Sequence, residues 1–326
     1  MRSTMLSVIA LASLLVPVLD AVPASAASSK TWVSHSGIDA NPCTSPTAPC
    51  ATFHGALGKT APGGEIGVVD AGDYGQVTIG QSVSITNNGA GEASILAPGG
   101  GDGIVIQAGN GDVVGLRGLV IDGQGVGAIG VLINSASAVH IQNCVIRSFE
   151  AAGSGFGILL LDGKAQLFAS DTIIFNNGSI ATTGGISIRP FTQGTRANVV
   201  LDRVHLENNV VGLSVEGSGN ASVGPHVVVR DSVVSGNASE GIRAFTIAGQ
   251  SPAFIVVEHS SVSNNVGTGI LADGPHATVL LNDNTITRNG AGIATANSGQ
   301  LISYGNNKNN NNIGAEGSPT SFFSQM

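Results

Sequence analysis

Charge is scarce in this chain: Lys, Arg, Asp and Glu together make up only 10% of its 326 residues. Thirteen residues are basic and 21 acidic, for a net charge of −8. Such a balance excludes the broad cationic surface that neutralises a row of phosphates, so nucleic acid is not an expected partner. Anionic membrane surfaces repel it for the same reason. Aromatic residues are 4%, so the 42% hydrophobic content has to fill the interior with small aliphatic side chains. Three cysteines are too few for a disulfide-built scaffold. From residue 66 onward no stretch repeats apolar residues at helical spacing. Beyond residue 20 no apolar run reaches the roughly 20 residues that span a bilayer. What is abundant is glycine, 47 residues, the mark of a backbone that turns tightly and often.

The first residues read as an export signal. Arg2 supplies a positive start, Met5 to Leu19 is apolar, and Ala24-Ser25-Ala26 matches a small-x-small cleavage site. Residues 1–26 are therefore expected to be removed, leaving a mature chain that is secreted or periplasmic. In that oxidising compartment Cys43 and Cys50, which flank a Pro-rich loop, are expected to pair, worth roughly 2–3 kcal/mol through the unfolded loop. Cys144 is left over and reads as a buried small thiol.

Residue 114 onward repeats itself. Short alternating strands begin at Val114, Val139, Leu167, Val199, Val227, Ile255, Val279 and, in decayed form, Leu301, with starts 22 to 32 residues apart. Ten residues after six of these starts stands an asparagine: Asn177, Asn209, Asn237, Asn265, Asn289 and Asn311. A Gly-aliphatic pair follows, as in Gly185-Ile186, Gly212-Leu213, Gly241-Ile242 and Gly269-Ile270. One geometry produces all three signals: a right-handed parallel β-helix of about ten coils, each climbing about 4.8 Å. Equal offsets then stack. The asparagines form an internal ladder at a bend where asparagine tolerates the left-handed conformation, and the glycine admits the twist into the next strand. The expected division is a cap over 27–65, the solenoid over 66–315 and a polar, fraying tail over 316–326. The cap holds the disulfide loop and a short helix over Ala51–Lys59 that turns Phe53, Ala56 and Leu57 inward to plug the open end.

The opening pattern (Trp32-Val-Ser, Asn41-Pro-Cys, Pro49-Cys-Ala-Thr-Phe53, Gly63-Gly-Glu-Ile66) and the coil pattern over roughly 66–315 resemble exported bacterial right-handed β-helix repeat proteins of the pectate-lyase-like superfamily. The resemblance implies the fold and lends no settled activity. Lyases of that superfamily use an Arg or Lys base and Ca²⁺ on clustered carboxylates. Related hydrolases use grouped Asp and Glu. Here there is no Asp-Asp pair, and Arg189-Pro190 is a lone fragment. No catalytic constellation is evident and no cofactor is called for; Ca²⁺ enters only as what related lyases use.

The strand after each Gly-aliphatic pair is the place to look for a surface. Its outward positions form a row of Asn134, Leu161, Arg189, Glu216, Phe245 and Asp273, with Arg243 one row back. Arg189, Glu216, Arg243 and Asp273 make a mixed-charge groove with Phe245 as a sugar platform. Glu216 and Asp273 lie two coils apart, about 9.6 Å, near the upper end of the inverting-glycosidase range. The plainer reading is solvated charges pairing across coils. The leading expectation is a β-helix protein that meets extracellular or cell-surface polysaccharide. The alternatives are a lyase, hydrolase or epimerase on an acidic glycan, and a structural or adhesion protein. The last would self-associate through an outward apolar row, Phe168, Val200, Val228, Val256, Leu280 and Ile302. His226 and His276, each after a proline, are a minor candidate metal pair. The segment Gly99-Gly-Gly-Asp-Gly103 resembles a single calcium-loop repeat and reads more plainly as a turn.

Overall fold

The computed structural model describes residues 27–191, 196–217 and 223–323. The expected export signal lies outside them. Each turn of chain lays down three strands, and each strand pairs in parallel with its counterpart in the next turn. The result is three sheets of 12, 10 and 9 strands, here called broad, short and third. In one turn His226–Arg230 joins the broad sheet, Val233–Ser235 the short sheet and Ile242–Phe245 the third. Alternation decides which side chains face inward: Val227, Val229, Val234, Ile242 and Ala244 are buried, while Val228, Arg243 and Phe245 are half-buried on the outside. Seven turns between Val113 and Ala296 follow this plan. Two less regular turns precede them and a partial one follows, so the ten expected coils are seven regular ones with irregular ends.

Two tight corners per turn set the register. In the regular turns each carries a residue in the left-handed region, such as Asp171 (φ 50°) and Asn176 (φ 54°), or Arg203 (φ 51°) and Asn208 (φ 53°). In these turns the left-handed residue of the second corner is the one before the ladder asparagine, not the ladder residue as expected. This frees the ladder side chain to turn inward, where Asn177, Asn209, Asn237, Asn265 and Asn289 are buried. Each amide in this run donates to or accepts from its neighbours in adjacent turns. Asn177 Nδ2 lies 3.0 Å from Asn209 Oδ1, and Asn265 Nδ2 lies 2.8 Å from Asn289 Oδ1. The next rung is Asn312, 3.0 Å from Asn289 Nδ2, and not Asn311. One extra residue enters at the first corner of the last turn. Leu281 still pairs with Ser303, but Thr285 pairs with Lys308, and Asn311 is displaced to the exposed left-handed position (φ 60°). Glu316 closes the ladder by accepting from the Asn312 side chain and backbone.

A second ladder runs down the first corner, five residues after each strand start. Cys144 N–H donates to Thr172 Oγ1 (3.3 Å), Val204 N–H to Ser232 Oγ (3.0 Å) and Ser232 N–H to Ser260 Oγ (3.1 Å). It continues through Asn284 to Asn307. The side chains in this column change type from turn to turn, which hides it from a search for a repeated residue.

The repeated glycines answer to space. Gly212 is not in the left-handed region; a Cβ there would lie 2.5 Å from Gly241 O and 3.0 Å from Asn237 Nδ2. The ladder amide and the next backbone occupy the volume a side chain needs, which corrects the expectation that the glycine serves backbone twist.

At the N-terminal end Ser28–Val33 is already a strand of the broad sheet, paired with Thr60–Val68. The helix spans only Phe53–Leu57, capped by Thr52 Oγ1 accepting from Gly55 N–H, with Phe53 and Ala56 buried and Leu57 partly so. Cys43 and Cys50 are disulfide-bonded beside it. At the other end the tail does not fray throughout: Ser321–Phe322 pairs with Ile302 and Ser303, and Gly292 and Ile293 donate to Ala315 and Glu316.

Candidate functional site

The third sheet places the outward row in register. Glu216 pairs with Phe245, and Phe245 with Asp273, while Ser214 pairs with Arg243 one position back. Inward neighbours Ile188, Val215, Ala244 and Ala272 anchor these strands in the core. Over Phe156–Leu160 and Gly184–Ile188 both faces of the sheet are buried. The charged residues therefore lie beside a covered stretch rather than on an open plane.

The charges meet across coils as two pairs. Arg189 Nε is 3.1 Å from Glu216 Oε1, and Arg243 Nη2 donates to Asp273 Oδ2 at 3.0 Å. Each guanidinium also lies over a ring: Arg243 is 4.4 Å from the Phe245 centroid, and Arg189 is 5.0 Å from that of Phe156. Asp273 is 13% exposed and accepts a second bond, 2.8 Å from Asn297 Nδ2. Glu216 accepts from Ser214 Oγ at 3.2 Å, and Arg189 donates to Thr182 O. Ser187 Oγ, Arg189 Nε and Arg243 Nε are buried polar atoms without a well-aligned hydrogen bond, all on this one face. For Arg189 Nε the 3.1 Å approach to Glu216 is close in distance but poor in direction, an ion pair that leaves a donor underused. Beside this group opens a pocket of about 430 Å³ lined by Phe245, Thr246, Ile247, Pro275 and Asn297.

Arg189 with Glu216 and Arg243 with Asp273 are thus brought together pairwise, and Phe245 walls a pocket. Glu216 and Asp273 stay two strands apart, each held by its own arginine. Phe156, Asn297 and Ser187 were missed in the sequence. Phe156 and Asn297 lie in loops or at strand edges whose insertions break the repeat, and Ser187 is signalled only by sharing a column with Ser214 and Arg243.

Other residues singled out in the sequence are accounted for. Cys144 is buried, its thiol donates to Gln142 O at 3.3 Å, and burial pushes the thiol up to about 11. Asn177 and Asn237, each of which opens an Asn-x-Ser sequence, are buried ladder rungs. His226 packs on Phe254 at 5.2 Å, and burial with nearby Arg196 lowers its basicity. Among the described residues no three His, Cys, Asp or Glu side chains are grouped to share a metal ion. No helix of the described residues is long and apolar enough to cross a membrane. The apolar row Phe168, Val200, Val228, Val256, Leu280 and Ile302 is in register on the outer face of the broad sheet, half-buried along its length.

Fold and site together define a parallel β-solenoid with a polar, partly roofed outer face. The chain belongs to the family described as right handed beta helix region, whose model matches residues 71–313. Among curated proteins none matches it in sequence. Its structure is similar to that of pectate lyase Pel9A, with a TM-score of 0.65 and 14% identity over 91% of this chain and 78% of that one. It is also similar to an alginate lyase from Paenibacillus sp. str. FPU-7, with a TM-score of 0.53 and 14% identity over 91% of this chain and 99% of that one. At such identity the likeness is one of fold.

Proposed function

We propose that this is an extracellular β-helix protein that binds polysaccharide on the outer face of its third sheet. Arg243, Phe245 and Asp273 are the central contacts, and Arg189 and Glu216 continue the surface. The observation that carries the reading is Phe245, which lines the 430 Å³ pocket while Arg243, paired with Asp273, lies over its ring. A sugar ring offers an apolar C–H face and a rim of hydroxyls. An aromatic ring suits the first; a carboxylate beside an incompletely bonded guanidinium suits the second. A rigid sheet also repeats its contacts at even intervals, which matches an extended polymer. The two structural neighbours, named for pectate and alginate, support polysaccharide as the ligand class.

The test is binding of a glycan array to the mature protein, repeated with Arg243→Ala and Phe245→Ala. Loss of at least tenfold in affinity, with the β-sheet circular dichroism unchanged, is the expected result. Binding that survives both substitutions removes this face from the reading. Incubation with uronate polymers separates binding from lyase activity: a rise in absorbance at 235 nm marks an enzyme. Export belongs to the same proposal and is supported by the Cys43–Cys50 disulfide. N-terminal sequencing of the exported protein is expected to begin at Ala27.

A further inference from the structure

The N-terminal end of the third sheet carries a second concavity. Two adjoining pockets, of about 310 and 290 Å³, are both lined by His54 and Thr78. Gln76 and Asp102 complete the first and Gln81 the second. His54 is on the exposed side of the short helix, opposite buried Phe53 and Ala56. Thr78 pairs with Val105 in the outward column that continues through Leu132, Leu159, Ser187 and Ser214 to Arg243. That is six strand spacings, about 29 Å.

Asp102 is held there by its loop. Gly99 (φ 70°) and Gly100 (φ 83°) supply the turn, and Gln76 Nε2 donates to the Asp102 carbonyl at 2.8 Å. A Cβ at Gly101 would come within 2.4 Å of the same Gln76 nitrogen, so the loop and the amide are fitted to one another. Burial pushes the Asp102 carboxyl up from its ordinary value, opposed by the Ile129 backbone. Neither pocket is lined by Lys or Arg among the described residues. A half-buried carboxyl without a cation disfavours the folded state, and such groups persist where they meet a ligand.

We infer that His54 and Asp102, with Gln76 and Thr78, form a second binding site that takes an uncharged sugar. Imidazole, amides, hydroxyl and carboxyl all exchange hydrogen bonds with sugar hydroxyls. A uronate would instead set its carboxylate against Asp102 with no cation between them. The ligand class rests on the polysaccharide reading; the location does not depend on the Arg243 group.

The test is calorimetry and backbone-amide NMR at pH 7 with cellohexaose, xylohexaose, mannohexaose and hexagalacturonate. At least one neutral hexasaccharide is expected to shift the Thr78 and Gly101 amides, with hexagalacturonate leaving them in place. His54→Ala and Asp102→Asn are each expected to weaken that binding at least tenfold, and Arg243→Ala to leave the shifts of Thr78 and Gly101 unchanged. Asp102→Asn is also expected to raise the Tm, because a disfavoured charge is removed; a lower Tm marks Asp102 as structural and overturns the inference. Shifts confined to the strand around Arg243 and Phe245 overturn it while leaving the first site standing. Shifts at Thr78 and Gly101 alone do the reverse, and no shift with any probe removes both.

Discussion

The side-chain amide of Asn237 donates to Oδ1 of Asn265 at 2.8 Å, and the same oxygen accepts the Asn237 backbone N–H at 3.1 Å. One buried oxygen thus joins two turns twice. Asn237→Ala removes one of that oxygen's two donors and leaves the Asn209 backbone N–H without its Asn237 Oδ1 acceptor, and is expected to lower stability by about 1–3 kcal/mol in urea denaturation. Asn312→Ala should destabilise in the same direction. Asn311→Gly, at an exposed left-handed position, should stay within about 0.5 kcal/mol of the parent. Equal losses at 311 and 312 would contradict the one-residue shift.

Gly212→Ala is expected to cost about 3 kcal/mol or more, since its Cβ would lie 2.5 Å from a backbone oxygen that cannot move without its own turn. Gly58→Ala is the control. Gly58 has φ −63° and nothing within 4 Å of a new Cβ, so a gain of roughly 0.4–1 kcal/mol is expected from the less flexible unfolded chain. Thermal melts of the two variants should move in opposite directions.

Cys144 acts as a rung of the first corner. Its thiol donates to Gln142 O, as Thr172 Oγ1 does to Ser170 O (2.8 Å) and Ser232 Oγ to Arg230 O (2.7 Å). Cys144→Thr should therefore change stability by less than about 1 kcal/mol. In the parent, a buried thiol pushed up to about 11 should not react with a disulfide reagent at pH 8 until denaturant is added. Fast labelling of the native protein would refute this placement.

Asp70 binds the N-terminal cap to the first turn. Burial pushes its carboxyl upward, but bonds from Ser34 Oγ (2.6 Å), the His35 N–H (2.9 Å) and Tyr74 Oη (2.7 Å) outweigh burial and hold it down to about 2. Since the folded value lies below the unfolded 3.8, the stability it contributes is present above about pH 4 and lost as pH falls through about 2. Asp70→Asn should cost about 1–2 kcal/mol at pH 7, discounted because a third of the side chain meets solvent, and little at pH 2. Parallel pH–stability curves for parent and variant would show that the bonds are not made.

The periodic part of the fold was legible because stacking equal offsets is a constraint on residue type. Val227, Asn237 and Gly241 each face the same surroundings as their counterparts one turn away, so the same chemistry recurs. The Thr172–Ser232–Ser260–Asn284 column was not legible. Thiol, hydroxyl and amide all satisfy that corner, and a position open to several residue types leaves no repeated letter. The inserted glycine region near residue 305 hid the last rung for a related reason: one residue added at a corner costs the fold little but shifts every later offset.

The outward rows divide the same way. Alternation by itself put Arg189, Glu216, Arg243, Phe245 and Asp273 on one face, because a strand has only two. Only the tertiary structure decided that Arg189 meets Glu216, that Arg243 covers Phe245, and that the loop carrying Asp102 returns to the helix bearing His54. Strand periodicity is local and is written in every turn. The meeting of side chains from loops of unequal length depends on where each insertion folds, and no repeat in the sequence encodes that.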